Sequence, residues 1–330
     1  MAFHYYPYVE ACNCCLFSCH GTEMSTGVAR LVHHDATVRR IATTVKQFFD
    51  RKESFRISHG STNSTRPVHN DKVIDISELS NIIHIDTVGR SVLVQPNVPM
   101  DKLIEATLRH NLIPPVVMEF PGITVGGGYA RSAGESSSFK YGYFDHTVDW
   151  VEIVLGNGRI VEASREKNPE LFKGAAGALG SLGIITLLEL RLIPAKRFVR
   201  MTYQRTSSIQ ETIDTIEMET HNHENDYVDG VLFSQSHGVV ITGKLTDTLP
   251  SSVRTAQTFS RPWDPWYYLH VLEKTHHPES QPITIYTSIA EYLFRWDRGG
   301  FWVGNEGFEY FGFVPFNRLT RWFLDDFMHT

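Results

Sequence analysis

The sequence predicts an α+β protein built from two consecutive units, and three observations carry that reading. Apolar residues at helical spacing open the folded part, short strand-like runs follow in pairs around turn residues, and the strand–helix–strand alternation starts again after Pro194. With 330 residues, 42% hydrophobic and 21% charged, the protein has enough apolar material to bury a core in each of two domains.

Taken in order, DATVRRIATTVKQFFDR places Val38, Ile41, Ala42, Val45, Phe48 and Phe49 on one helical face behind an Asp35 or Thr37 cap. SFRIS and KVIDIS read as strands on either side of the polar loop HGSTNSTRPVHND, and NIIHIDTVGRSVLVQP alternates as a hairpin about Val88-Gly89-Arg90. MDKLIEATLRHN is an amphipathic helix ending at Asn111 as a C-cap. TVDWVEIVLGNGRIVEAS predicts a hairpin with a type I′ turn at Asn157-Gly158, since that turn needs two residues tolerant of positive φ. A short helix from Pro169 to Lys173, a glycine-punctuated turn and a long strand closing at Pro194 complete the first unit. The second runs strand (RFVRMTYQ), helix (SSIQETIDTIEMETH), strand (DYVDGVLFSQ), strand (GVVITGKLT), then an aromatic-rich stretch from Pro250 with little periodicity. That stretch is expected to expose an apolar patch and to stop without a terminating structure, so the second unit reads as C-terminally truncated.

A net charge of −6, with no basic run, gives no electrostatic footprint for nucleic acid. All four cysteines, Cys12, Cys14, Cys15 and Cys19, lie in ACNCCLFSCH, so no disulfide framework ties the body. The cluster is too tight for two separated thiolate pairs on zinc, and His221 and His223 diverge on a helix, so no metal is expected. Neither a secretory signal nor an apolar run long enough to span a bilayer is present, which predicts a cytoplasmic protein or one with peripheral membrane contact.

PGITVGGGYARSAGESSSFKYGYFDH, Pro121 to His146, is the most informative stretch. Three consecutive glycines strip every Cβ from one patch of backbone, allowing a planar or anionic ligand to approach and leaving N–H groups free to donate. They are not expected to open a helix behind a strand in a βαβ unit, and a Walker loop is absent. ISHGSTNST, from Ile57, and GSLGI, from Gly180, share this small-residue character, and the three stretches together could wrap one extended anionic cofactor.

These motifs in this order resemble the FAD-binding domain of the vanillyl-alcohol-oxidase, or PCMH-type, flavoproteins. More narrowly, Glu119, Thr124-Val125-Gly126-Gly127 and Glu135-Ser136-Ser137-Ser138-x-Lys140-Tyr141-Gly142-x-Phe144-x-His146 are similar to the delta-24 sterol reductases, the 24-dehydrocholesterol reductase and plant Diminuto group. The likeness continues through Gly180 to Gly183 and Arg191 to Lys196, and loosely through Pro265 to Val271. Where those reductases carry His-Arg-His-Thr-Arg, this sequence reads Tyr292-Leu293-Phe294-Arg295-Trp296-Asp297-Arg298, keeping both arginines and replacing both histidines; Arg131 and Ala133 replace glycines.

The resemblance implies a PCMH-type two-subdomain FAD-binding domain over 30–195, a substrate or cap domain over 196–330, and a non-globular cysteine-containing leader over 1–29. It implies FAD against Ser58, Gly60, Ser61, Thr62 and Asn63, then Gly122, Thr124, Val125, Gly126 and Gly127, then Glu135, Ser136, Ser137, Ser138, Tyr141 and Gly142, with Gly183 and Ile184 on the adenosine or ring side. Thr62 stands where flavin-tethering relatives carry His, and no cysteine follows Cys19, so the flavin is expected to be non-covalent. The implied reaction is reduction by NADPH of a carbon–carbon double bond in the side chain of a sterol or isoprenoid, at an endoplasmic reticulum membrane. An isolated alkene is a poor hydride acceptor, so an acid must protonate the second carbon. Candidates are Tyr141, Lys140 and Glu119, with Glu135 and His146 behind them. A PCMH-type oxidase or dehydrogenase with another substrate, or an inactive flavin-binding remnant, are the competing readings.

Overall fold

The computed structural model describes residues 20–59, 72–277 and 281–323. The cysteine cluster and Gly60, Ser61, Thr62 and Asn63 lie outside the described residues. The first unit begins with helix α1 (His20–Asp50), followed by strands β1 (Arg56–Ser58), β2 (Val73–Asp75), β3 (Ile82–Asp86) and β4 (Ser91–Val94). Helix α2 (Met100–Leu108), β5 (Leu112–Ile113) and the short helices α3 (Val125–Ala130) and α4 (Ser138–Tyr141) lead into β6 (Val148–Leu155) and β7 (Ile160–Ser164). Helix α5 (Pro169–Ala175), β8 (Gly183–Arg191) and β9 (Ile193–Pro194) close the unit.

Its main sheet is antiparallel in the order β3-β4-β8-β6-β7, while β1 and β2 pair in parallel beside it. Most of the apolar face expected of α1 is real: Val38, Ile41, Ala42, Val45 and Phe48 bury against Ile74, Ile76, Leu79, Val154 and Ile184, whereas Phe49, expected on the same face, turns to solvent. Inside this contact His34 bridges Gln95 (2.9 Å) and Glu152 (3.0 Å), so a polar residue facing the sheet keeps its hydrogen bonds.

The second unit is an antiparallel sheet in the order β11-β12-β10-β13, from β10 (Phe198–Thr206), β11 (Tyr227–Ser234), β12 (His237–Thr246) and β13 (Ile283–Ser288). Helix α6 (Ile209–Thr220), capped by Ser208 Oγ accepting the Glu211 N–H at 3.1 Å, covers one face. Helices α7 (Tyr267–Lys274), α8 (Ile289–Leu293), α9 (Val303–Tyr310) and α10 (Arg318–Phe323) follow. The two sheets share one continuous core, in which Val92, Leu103, Val125, Phe144 and Leu188 are joined to Met201, Tyr203, Tyr267, Tyr292 and Trp296. The aromatic stretch divides accordingly. Phe259, Trp266, Tyr267 and Trp296 are core, while Trp302, Tyr310, Phe311, Phe313, Leu319 and Trp322 are exposed. No helix among the described residues is long and apolar enough to cross a membrane.

Three local expectations need correction. Helix α1 starts at His20, so Asp35 and Thr37 lie within it and cap nothing. The glycine triplet is helical: α3 runs through it, because Thr124 offers an N-cap oxygen and Val125 anchors the turn in the core. The β6–β7 connection is not type I′, since Gly158 alone takes positive φ (+81°) and Asn157 does not. Leu155 accepts the Gly158 N–H at 2.8 Å and donates to Arg159 O at 2.8 Å, which describes a three-residue loop ending in a left-handed glycine. Asn111 does adopt the left-handed φ (+55°) that the sequence suggested, two residues beyond the C-cap Arg109.

Gly158 also sits under α1, where a Cβ would stand 2.7 Å from Ala42 O and 2.8 Å from Lys46 Cβ. Gly158→Ala should therefore lower stability by about 1–2 kcal/mol through backbone strain, with added cost from displaced α1, as measured by urea denaturation.

Candidate functional site

The described parts of the small-residue stretches converge. The Gly177 N–H donates to Tyr129 O (3.2 Å) and the Leu179 N–H to Ala130 O (3.1 Å), docking the glycine-punctuated turn on the end of α3. A Cβ at Gly180 would stand 2.9 Å from Ile57 Cδ1, which brings in β1 and its last residue, Ser58. Left-handed backbone concentrates here: Ser132 (φ 45°) and Leu179 (φ 53°) beside Gly177 (68°) and Gly180 (77°). Non-glycine residues in this region cost about 1–3 kcal/mol each and gather at functional sites. Leu179 and Leu182 nonetheless stay exposed, at 66% and 46%.

Within α3 the glycines have different reasons. A Cβ at Gly126 would meet Pro96 at 2.6 Å, and one at Gly128 would collide with Met118 and Phe144, so here the ligand kept away from side chains is the protein itself. At Gly127 a Cβ would meet only Thr124 Oγ1 (3.2 Å) and Ile123 (3.9 Å), leaving an open approach. The expectation of free donors is not met. Val125 N–H binds Val98 O, Gly126 N–H binds Pro96 O, Gly127 N–H binds Thr124 Oγ1 and Gly128 N–H binds Thr124 O, because a helical start recruits them.

The remaining residues singled out in the sequence spread over several environments. Gly122 is exposed at the entry to α3, whereas Val125 is fully buried and Ile184 packs beneath α1. Gly183 is filled by its sheet neighbour, a Cβ there standing 2.7 Å from Val154 O. Ser137 Oγ donates to Pro115 O (2.8 Å), Ser138 Oγ accepts the Glu135 N–H (2.9 Å), and Gly142, at φ +77°, lies against the His146 ring. Lys140 is engaged with Asp226 (2.9 Å) and Asn225 O (3.4 Å). Burial alone would lower its pKa, but Asp226 more than offsets this and holds it above the usual lysine value. Burial pushes the Tyr141 hydroxyl up, making it a weaker acid.

Glu119 belongs to a buried cluster where the two units meet. Arg295 is 1% exposed, and its Nη2 donates to Glu119 Oε1 (2.8 Å) from the first unit and Asp229 Oδ2 (3.0 Å) from β11. Its Nη1 donates to Tyr292 O (2.9 Å), and the guanidinium stacks 4.1 Å above the Tyr292 ring. Tyr292 in turn reaches Ser136 Oγ through its hydroxyl (3.2 Å) and packs on Tyr227 at 4.5 Å. The Val228 N–H donates to Ser136 O (2.8 Å), so the serine run contacts the second unit by backbone and side chain. Glu135 accepts the Glu119 backbone N–H.

Burial, opposed by Arg295 and reinforced by Asp229, pushes the Glu119 carboxyl up to about 7. Burial and the nearby Glu119 charge push Glu135 up to about 9. Beyond Tyr267, whose ring lies 5.2 Å from the guanidinium, His270 hydrogen-bonds Tyr203 (3.3 Å), and burial pushes it down to about 4. Sequence reasoning missed Asp229, Tyr227 and Tyr292 as site residues. The signals available were an acidic residue inside the β-rich DYVDGVLFS and the two arginines retained at Arg295 and Arg298. Arg298 serves the backbone instead, donating to Phe259 O, Asp264 O and Pro262 O.

Comparison with known proteins identifies the family of the first unit. A family of FAD binding domains matches residues 30–164. The Delta(24)-sterol reductase of Macaca fascicularis is 30% identical over 225 residues, which cover 68% of this chain and 43% of that protein. The Delta(24)-sterol reductase of Pisum sativum is 25% identical over 326 residues, 92% of this chain and 56% of that protein. Cytokinin dehydrogenase 4 of Oryza sativa subsp. japonica is 27% identical over 198 residues, 60% of this chain and 36% of that protein. The chain thus spans about half the length of the sterol reductases it matches. Near Ser58, Ser132 and the Gly177 to Leu182 turn, Gly127 leaves room for a flat cofactor, since a Cβ there would meet only Thr124 and Ile123.

Two outcomes follow. Gly127→Val should leave the fold intact yet cut flavin retention at least tenfold, read as the flavin-to-protein absorbance ratio after purification. Arg295→Met strands Glu119 and Asp229 without their cation and should lower stability by about 3–5 kcal/mol in chemical denaturation, with the loss shrinking at acid pH as Glu119, already pushed up to about 7, protonates.

Proposed function

With residues 30–164 an FAD binding domain, we propose that the protein is an FAD-dependent oxidoreductase reducing a C=C bond in the side chain of a sterol or isoprenoid, with NADPH as the electron source. One observation carries the reading: a carboxyl pushed up to about 7, Glu119, set beside a buried guanidinium at the junction of the FAD domain and the second unit. Bound FAD would supply hydride chemistry at its ring, held by the Gly127 and Gly177 to Leu182 cradle. The protein's own residues supply the rest. Arg295 fixes Glu119 in one orientation, Tyr227 and Tyr292 pack against each other beside the guanidinium, and Glu119 gives its proton from the carboxyl oxygen to the alkene carbon that does not take hydride. Glu119 suits this task better than Tyr141, whose acidity burial weakens, or Lys140, which Asp226 engages.

A second reading, a dehydrogenase or oxidase acting on a different substrate, is supported by the likeness to a cytokinin dehydrogenase and by Phe294 and Trp296, which stand where the resembling sterol reductases carry the two histidines beside the retained arginines.

Anaerobic NADPH should bleach the flavin's visible band, with slow reoxidation in air; a flavin that ignores NADPH and reacts rapidly with oxygen after substrate reduction would favour the second reading. Alkene reduction should be fastest with Glu119 protonated, falling about tenfold per pH unit above pH ~7, and Glu119→Gln should abolish that inflection together with most activity. The flavin should also dissociate: acid precipitation is expected to leave a colourless pellet and a yellow supernatant, and a fluorescent flavinylated band on a denaturing gel would refute non-covalent binding.

A further inference from the structure

Arg295 reaches its two acidic partners from one corner. Its Nη2 donates to both Glu119 Oε1 (2.8 Å) and Asp229 Oδ2 (3.0 Å), whereas the buried Nε has no partner among the described residues. Neither acid is therefore gripped through the Nε–Nη2 edge, the two-point contact that would fix a guanidinium by itself. A planar group held at one nitrogen can still turn about that point.

The contacts that prevent such turning come largely from one residue, Tyr292, near the end of α8. That helix is anchored by Ser288 Oγ, which accepts the Glu291 N–H, and by the Glu291 side chain, which accepts the Phe259 and Ser260 N–H groups at 2.7 and 3.0 Å. Three residues after Tyr292 the chain folds back on it. The Arg295 N–H and Nη1 both donate to Tyr292 O, at 3.3 and 2.9 Å, and the guanidinium lies 4.1 Å from the centre of the Tyr292 ring. The rings of Tyr267 and Trp296 stand farther off, at 5.2 and 6.0 Å. Tyr292 is itself held at its far end, by Ser136 Oγ at 3.2 Å from its hydroxyl and by the Tyr227 ring at 4.5 Å.

We propose that Tyr292 is a positioning residue for Glu119: its ring is the surface on which the guanidinium rests, and the guanidinium so placed aims the Glu119 carboxyl. The ring rather than the carbonyl is the specific part, because the carbonyl survives any substitution of the side chain. The catalytic half of the proposal rests on the reading of Glu119 as proton donor; the placement of the guanidinium does not.

Tyr292→Leu removes the ring, and Tyr292→Phe keeps it while losing the hydroxyl. With NADPH and a sterol carrying a side-chain double bond, Tyr292→Leu should lower kcat at least about tenfold, with KM within about twofold and an unchanged flavin-to-protein ratio, and Tyr292→Phe should recover most of that loss. A loss confined to KM or to flavin content, unaltered kcat, or a phenylalanine variant no better than the leucine one overturns the proposal. Proton NMR reads the placement directly. The arginine Nε–H signal that vanishes in Arg295→Lys should lie upfield in the unmodified protein and in Tyr292→Phe, and move downfield in Tyr292→Leu; indifference to the ring refutes the proposal. Should Tyr292→Leu not fold, the unmodified protein decides: that signal must show a nuclear Overhauser contact with the Tyr292 ring protons, and its absence overturns the proposal. Full turnover in Glu119→Gln would sink the proton-donor reading by itself, while the Nε–H signal still judges Tyr292.

Discussion

A guanidinium buried to 1% exposure sets the terms for the structure around it. Arg295 cannot shed its proton, so its burial obliges the fold to bring carboxylates to it from elsewhere. They come from both units, Glu119 at the end of an apolar run and Asp229 on β11, which fixes how the second sheet lies on the FAD domain. The aromatic rings of Tyr267 and Tyr292 complete the enclosure by presenting their faces to the cation. Burial beside this cation then shapes the chemistry of Glu119 and Glu135, whose carboxyls it pushes up.

Much of the fold was legible because local pattern and global structure agree. The apolar stripe of α1, both first-unit hairpins and the β10 to β12 sequence follow from periodicity and turn residues alone. What escaped was set by tertiary contact. Strand β13 lies in a stretch whose aromatic density hides alternation, and its place beside β10 rests on pairing between segments far apart in sequence. The triple glycine looked like a loop because glycine disfavours helix, yet packing against Pro96, Met118 and Phe144 overrides that propensity over so short a segment.

The site was legible in half. The small-residue character of the three stretches pointed to one another, and their described parts meet through Tyr129, Ala130 and Ile57. No such signature marks a buried ion cluster, because an arginine or aspartate in sequence carries no sign of its exposure. Glu119 was recognisable only through family likeness, and Asp229 only once β11 had been laid against Ser136.

That last contact also bears on how the molecule assembles. Strand β11 is the outer strand of its sheet, and an outer strand presents unpaired backbone groups to any other polypeptide that passes. Ser136 accepts the Val228 N–H and so covers part of that row from within the same molecule. The serine run precedes β11 in the chain, so the residue that covers this edge is already synthesised when β11 is made. The serine run thus shields the outer edge of the second sheet from within the same molecule.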